Sequence, residues 1–401
     1  MPYQRRAFLT RSTAFGAGVL IHSSKLVAES NSRFRVAVIG HTGRGNYGHE
    51  LDTVWQKMDR TKVVAVADPV ADGREKARRR LQLDSASAFE SYEEMLSEVS
   101  PDIVAVAPRH IDQHAAMAVA AAESGARGIY IEKPFVRDLN EADQVIAACQ
   151  KNGTRLAIAH RNRYHPALPV LRELVAEGKI GKLLEIRCRG KEDHRGGGLD
   201  LWVLGSHLLN LAHYFCGDPI ACSATILQDG RPASPKDVVA GGEGVGPIAG
   251  NALHARFETK QEVPLFFESV KSQGTKEAGF GLQLIGSEGI IDLRADREPL
   301  AHIRLGSPFL PSGDPQPWLP ITSAGIDKPE PIHNIRELVG GHQAVLLDLI
   351  AAIEENRETL CNENDGRVVV EMTMAIFASH REGGKRVSLP LEEKTHPFLD
   401  W

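Results

Sequence analysis

The 401-residue sequence predicts an α/β chain in two parts: a parallel, doubly wound sheet in the first half and an α+β unit with a largely antiparallel sheet in the second. Three observations carry that prediction. Compact runs rich in β-branched residues alternate with helical patterns from Phe34 to about His160, as in βαβ units. The first of these runs ends in a dense glycine turn. From Gly181 onward the runs instead follow one another across turn residues, which is the pattern of neighbouring antiparallel strands.

The opening residues stand apart from this fold. "QRRAFLT" places Arg5 and Arg6 before Phe8 and Leu9, and the modestly apolar "STAFGAGVLI" and the polar "HSSKLVAES" follow. The pattern resembles a twin-arginine export signal, an address read by a receptor. Residues 1–32 are assigned to that signal and a linker, 33–160 to a nucleotide-binding domain, and 161–401 to the second domain. The protein is expected in the periplasm or cell envelope. Loss of residues 1–28 would take Arg5, Arg6, Arg11 and Lys25 with it and move the formal charge from −5 to −9. Twin-arginine export carries folded proteins, which suits a chain that must acquire a cofactor before it leaves the cytoplasm.

Composition narrows the function classes. With 42% hydrophobic and 25% charged residues, this is the balance of a globular protein. No basic run resembles a nucleic-acid footprint, and no apolar segment approaches the length of a membrane span. Cys149, Cys188, Cys216, Cys222 and Cys361 show neither CxxC nor zinc-type spacing, so neither a disulfide framework nor a metal site is expected.

In chain order, "FRVAVIG" reads as a buried parallel strand. It leads into Gly40, His41, Thr42, Gly43, Arg44 and Gly45, with Gly43-Arg44-Gly45-Asn46-Tyr47-Gly48 forming a full GxGxxG. Glycines there permit a tight turn and close backbone approach to a pyrophosphate, and "HELDTVWQKM" should follow as a helix whose N-terminus faces that charge. About twenty residues on, "KVVAVADP" sets Asp68 at the end of a second strand, where an acid can accept hydrogen bonds from ribose hydroxyls. The expected cofactor is NAD, with NADP left open because Arg44 could meet a 2′-phosphate. "PDIVAVAP" and "GIYIEKPF" are further strands, separated and followed by helical patterns, and "TRLAIAH" closes the set. Ligands of such a sheet lie outside the carboxyl ends of its strands, which puts Lys133 on the ligand side.

The glycine turn, Glu132-Lys133-Pro134 and "HRNRYHP" (His160 to Pro166), together with "EGKIGKLLEIR" and "GGGLDLWVLGSHLLNL", resemble the Gfo/Idh/MocA family of oxidoreductases, which includes glucose–fructose oxidoreductase and inositol dehydrogenase. The resemblance runs from about Phe34 to the C-terminal helices. It implies a Rossmann domain followed by an α+β domain whose open sheet often joins subunits, hence a homo-oligomer. It places Lys133 beside a nicotinamide as the proton carrier and His207 as its substrate-binding or catalytic partner. Pro108, Arg109, His114 and Glu132 fall on the cofactor side. Arg163 and Tyr164 fall in the segment that closes over cofactor and substrate. Two positions depart from the family pattern: Val203 stands four residues before His207, and Asn210 three after, where aspartates are common. Asp200 is the nearest substitute, and His194, Arg195 and Asp200 lie in or beside a glycine-rich loop that could meet a sugar.

The implied activity is NAD(P)-dependent oxidation of a secondary hydroxyl of a sugar or polyol. Because free NAD should be scarce outside the cytoplasm, a tightly retained cofactor is expected. Redox-neutral cleavage of a glycoside through a transient ketone is the alternative, and a non-catalytic dinucleotide- and sugar-binding protein is a further one. Desolvation and a cationic nicotinamide would both favour the free amine of Lys133.

In the second half, "LLEIRCRG", "ACSATILQ", "NALHARFET", "EVPLFFESV", "FGLQLIG" and "GIIDLRA" read as strands. "VVAGGEGVGPIAGN" is expected as a mobile loop, "LGSPFLPSGDPQPWLP" as irregular surface chain, and Gln343–Asn356 and Gly366–Arg381 as helices that cover the sheet.

Overall fold

The computed structural model describes residues 33–273 and 280–401; the expected export signal lies outside them. Strands β1 (Phe34–Ile39), β2 (Thr61–Ala67), β3 (Ala88–Phe89), β4 (Ile103–Val106), β5 (Gly128–Ile131) and β6 (Arg155–Ile158) form an all-parallel sheet in the order β3-β2-β1-β4-β5-β6. Every residue of β4 and β5 is buried, as expected for strands covered on both faces. Helices α1 (Ala71–Arg80), α2 (Tyr92–Val99), α3 (His114–Glu123) and α4 (Leu139–Asn152) belong to this half. Their ends follow local chemistry. Ser91 caps α2 by accepting from Glu94 N–H at 3.1 Å, Asp138 caps α4 by accepting from Glu141 N–H at 2.9 Å, and left-handed Gly153 stops α4.

One expected element is absent. The stretch after the glycine turn is a series of turns ending in a 3₁₀ segment, Val54–Lys57, not an α-helix. Asn46, Gly48 and Glu50 all have positive φ, so no helical turn can start before Glu50. The apolar spacing was real, since Leu51, Val54 and Trp55 are buried, but it serves a compact coil.

After α5 (Ala167–Ala176), the second sheet is built on β7 (Leu183–Arg189), β8 (Pro219–Gln228), β9 (Ala252–Thr259), β10 (Leu265–Val270), β11 (Gly281–Gly286), β12 (Gly289–Arg294), β13 (Ala301–Leu305) and β14 (Leu319–Thr322). Short strands extend it, and the order of the main ones is β14-β13-β12-β11-β7-β10-β9-β8. Among its described strands, only β7 and β10 pair in parallel. The glycine-rich stretch expected as a loop instead contains a small hairpin, Val239–Ala240 paired with Pro247–Ile248.

Helices α6 (Ser206–Cys216), α7 (Gln343–Glu355) and α8 (Glu363–Arg381) complete the fold. An Asn362/Asp365 capping box starts α8. Near its start, Gly366 packs so closely on Phe135 and Ile158 of the first half that a Cβ would lie 2.4 Å from Ile158 Cδ1. Near its end, Ser379 and His380 accept hydrogen bonds from Ala224 N–H (2.8 Å) and Ile226 N–H (3.1 Å), capping the edge of β8. The same helix therefore packs on both sheets. All five cysteines are buried free thiols.

Candidate active site

Beyond β5 the chain runs straight into Glu132-Lys133-Pro134, and the Lys133–Pro134 peptide is cis. Glu132 is fully buried, bonded to His49 and to the Lys133 N–H. Burial alone would raise its carboxyl, but the charge of Lys133 and the His49 hydrogen bond prevail and hold it at about 2. Lys133 itself is only 5% exposed, so its ammonium does not snorkel into bulk water. Its ammonium meets the Val203 carbonyl at a long 3.5 Å. That carbonyl lies in a five-residue π segment, Leu201–Gly205, which joins a helical turn at Gly197–Asp200 to α6. Such segments break the regular i to i−4 ladder and often occur at functional sites. Val203, where an aspartate was looked for, thus supplies a main-chain oxygen instead.

A cavity of about 290 Å³ opens at this point. Lys133, Arg109 and His49 face it from the first sheet's side, and Arg161 from the 3₁₀ turn after β6. The second half contributes Lys191, Arg195, Val203, His207, Glu243 and Asp296, and His342 comes from the start of α7. Lys133 and His207, expected together, do share one cavity.

His207 has a partner that sequence reading did not single out. Its Nδ1 lies 3.4 Å from Nδ1 of His160, the two rings meeting edge to face with centroids 5.0 Å apart. Both are buried. Burial and then the charge of Lys133 push His160 down to about 3. Burial, His160 and Lys133 push His207 well below the usual imidazole range. The pair is therefore neutral at ordinary pH. One Nδ1 must donate and the other accept, which leaves the Nε2 of His207 as its nitrogen not engaged with His160.

Several other expected site residues lie outside this cavity. His114 is fully buried, its ring nitrogens on the carbonyls of Pro108 (2.7 Å), Pro134 (3.0 Å) and Phe135 (2.9 Å), so it braces the Lys133 loop. Tyr164 donates to the Cys361 carbonyl at 3.3 Å, and Arg163 lies over Tyr214, 4.1 Å from the ring centroid. Asn210 is buried against Cys361 Sγ at 3.3 Å. Asp200 accepts from Ser269 Oγ (2.6 Å) and Glu192 N–H (3.2 Å); burial raises its carboxyl. His194 points outward, 84% exposed. None of these six lines the Lys133 cavity. Arg161, which does, falls within "HRNRYHP" but was not singled out there, and Lys191, Glu243, Asp296 and His342, which also do, come from separate turns that only the fold brings together.

The glycine turn suits a dinucleotide at its tip. Gly43 (φ +83°) has open space where a side chain would stand. Gly45 (φ +91°) lies against the chain after β4, and a Cβ there would come within 2.3 Å of Arg109 N. β1 and β4, which lie on either side of the point where the strand order reverses, end beside it. His41, Thr42, Gly43, Arg44 and Gly45, with Arg109 and Lys133 beyond, are the residues that would hold NAD. Arg44 is paired with Asp112.

Asp68 is used differently from the expectation. Its carboxylate accepts from Thr42 N–H (3.0 Å to Oδ2), Thr42 Oγ1 (2.7 Å), Tyr47 Oη (2.8 Å) and Val70 N–H (2.9 Å), and it is fully buried. A carboxylate offers about four lone-pair sites, so none is left for a ribose diol. Tyr47 sits directly over Gly40, where a Cβ would meet its ring at 2.1 Å. Burial and then Asp68 keep its phenol far above the usual value, and so a permanent donor.

The arrangement suits proton exchange with a hydroxyl. A bound nicotinamide supplies hydride acceptance. Lys133 can exchange a proton with the substrate oxygen, and neutral His207 can orient that oxygen through Nε2.

Comparison with known proteins agrees with this fold. The family description "Oxidoreductase family, NAD-binding Rossmann fold" matches residues 34–160, and "Oxidoreductase family, C-terminal alpha/beta domain" matches 172–389. The chain is 24% identical over 370 residues to D-apiose dehydrogenase of Paraburkholderia graminis, covering 88% of each chain. It is 27% identical over 213 residues to levoglucosan dehydrogenase of Pseudarthrobacter phenanthrenivorans, covering 47% of this chain and 52% of that one. A solved levoglucosan dehydrogenase in complex with NADH and L-sorbose superposes with a TM-score of 0.70 at 19% identity, covering 90% of this chain and 99% of that one. The chain belongs to the Gfo/Idh/MocA family and is an NAD(P)-dependent oxidoreductase with an NAD-binding Rossmann domain.

Proposed function

We propose that this protein oxidises a secondary hydroxyl of a sugar or polyol with an NAD that stays bound through turnover, and that Lys133 carries the proton. The observation that carries this reading is the buried ammonium of Lys133, set beside a neutral His207 in a cavity at the carboxyl end of β5. The named relatives act on sugars, which supports the substrate class. The "QRRAFLT" segment supports export by the twin-arginine route, and a retained cofactor answers the scarcity of NAD outside the cytoplasm. NADP remains a second cofactor choice in this reading, since Asp68 has no lone pair free to read the ribose. The open second sheet supports a homo-oligomer.

The test is to denature the purified protein and assay the released dinucleotide by type and amount, then to follow nicotinamide absorbance as sugars are added to the intact holoprotein. Near-stoichiometric dinucleotide, reduced by a sugar and lost as a response in Lys133→Ala, is the expected result. Absence of dinucleotide, or a Lys133→Ala protein that still reduces it, overturns the reading. Release of aglycone from a glycoside without any acceptor would favour redox-neutral cleavage. That route needs a base for a carbon-bound proton, and the hydrogen bonds of Asp200 and the low basicity of His207 weigh against it.

A further inference from the structure

The wall of the Lys133 cavity is unevenly charged. Arg109, Lys133, Arg161, Lys191 and Arg195 face it as cations, against the carboxylates of Glu243 and Asp296 alone. Pairing narrows the imbalance without removing it. Asp296 is committed to Arg161, at 2.9 Å, and also accepts from Asn162 at 3.0 Å. Arg195 is held by Asp193, outside the cavity lining, with Nε 2.9 Å from Oδ1. Among the described residues, Lys133, Arg109 and Lys191 have no carboxylate within salt-bridge distance, and Glu243 is the one acid of the wall not tied to a cation there. His207 and His342, held in the neutral form by burial, add no charge to either side.

Leaving a cation unpaired in a partly enclosed cavity is costly unless a ligand completes it, a cost that falls on buried Lys133 more than on exposed Lys191. A dinucleotide pyrophosphate can account for Arg109, which backs onto Gly45 of the turn. It does not account for Lys191 and Arg195, which come from the loop after β7 in the second half of the chain. The geometry points to a substrate that is itself an anion: a sugar acid, its carboxylate received by Lys191 and Arg195 while the reacting hydroxyl lies at Lys133 and His207. Asp193 takes the Nε and Nη2 edge of Arg195, so Arg195 offers a carboxylate its Nη1 side, and Lys191, exposed at the rim, adds a mobile point charge. The assignment rests on the sugar-oxidoreductase reading but deepens it, from sugars in general to those bearing a carboxylate.

Calorimetric titration of the full-length protein with NADH present reads binding without turnover. D-glucuronate and D-gluconate are the acid probes, D-glucose the neutral one, and D-glucose 6-phosphate a dianion of other geometry. At least one acid is expected to bind roughly tenfold or more tightly than glucose, the worth of one charge-assisted contact. That preference should shrink severalfold in Lys191→Gln and in Arg195→Ala, and should fall with added salt. Equal affinity for acid and neutral sugar, no acid binding, a preference for the phosphate, or a preference that survives both substitutions would each overturn it. Oxidation of neutral sugars without acid preference would sink this inference and leave the sugar-oxidoreductase reading standing. Acid binding with no hydride transfer from any sugar to NAD would do the reverse.

Discussion

Tyr47 and His160 are the two side chains whose roles the structure changes most. Tyr47 donates to Asp68 from a ring clamped between Gly40 and the Arg80 guanidinium, 4.9 Å from the ring centroid. Tyr47→Phe keeps the packing and frees one lone pair of Asp68. NADH binding, followed by energy transfer from protein fluorescence, is expected to tighten by about three- to tenfold, in line with one hydrogen bond to a charged acceptor. An unchanged affinity would mean that Asp68 only braces the turn. His160→Ala removes the partner of His207 Nδ1. A fall in kcat of about tenfold or more, with KM little changed, is expected from a residue that orients a proton-handling group. Rescue by His160→Gln, which can still hydrogen-bond, would separate orientation from mere packing. Lys133 was legible in the sequence because a strand that ends in an ammonium group and a proline is unusual. His160 was not, because a histidine in "HRNRYHP" gives no sign of meeting another from 47 positions away. Asp68 sat at the expected position, but no spacing rule says which donors an acid will meet.

At the scale of elements, α8 carries an ionisable group at an uncomfortable place. Glu363, its first residue, is buried with one carboxyl oxygen lacking a partner, and burial pushes it up to about 7. A raised carboxyl pKa means the folded state holds its proton longer than the unfolded chain does. The stability it contributes is complete below the unfolded value near 4.5 and is lost as pH rises through 7. The loss is on the order of 3 kcal/mol. Glu363→Gln should therefore raise the denaturation midpoint at pH 8 and change it little at pH 5, measured by urea unfolding. The sheets were legible because alternating and continuous apolar runs survive in the sequence, as in "NALHARFET". The helix after the glycine turn was not, because its apolar spacing fits either a helix or the compact coil that Glu50, at φ +65°, imposes.

Across the whole molecule, buried neutral histidines oppose Glu363. His160 is held near 3, and His342 and His396 near 4, all by burial first. Their lowered values favour the folded state above the unfolded value of 6.5, and that contribution is lost as pH falls toward 4. Each should cost about 2 kcal/mol between pH 7 and pH 5. Glu363 offsets part of this, so unfolding midpoints should peak near neutrality, and the Glu363→Gln protein should lose stability more steeply on acidification. Helix α8 has a mechanical consequence as well. Since it is stitched to Phe135 and Ile158 at one end and to β8 at the other, it ties the two halves together and opposes a swing of one against the other. Small-angle scattering profiles with and without NADH should therefore coincide. Whatever enters must be sized to the mouth it finds, admitted by the yielding of the Lys191–Arg195 rim alone.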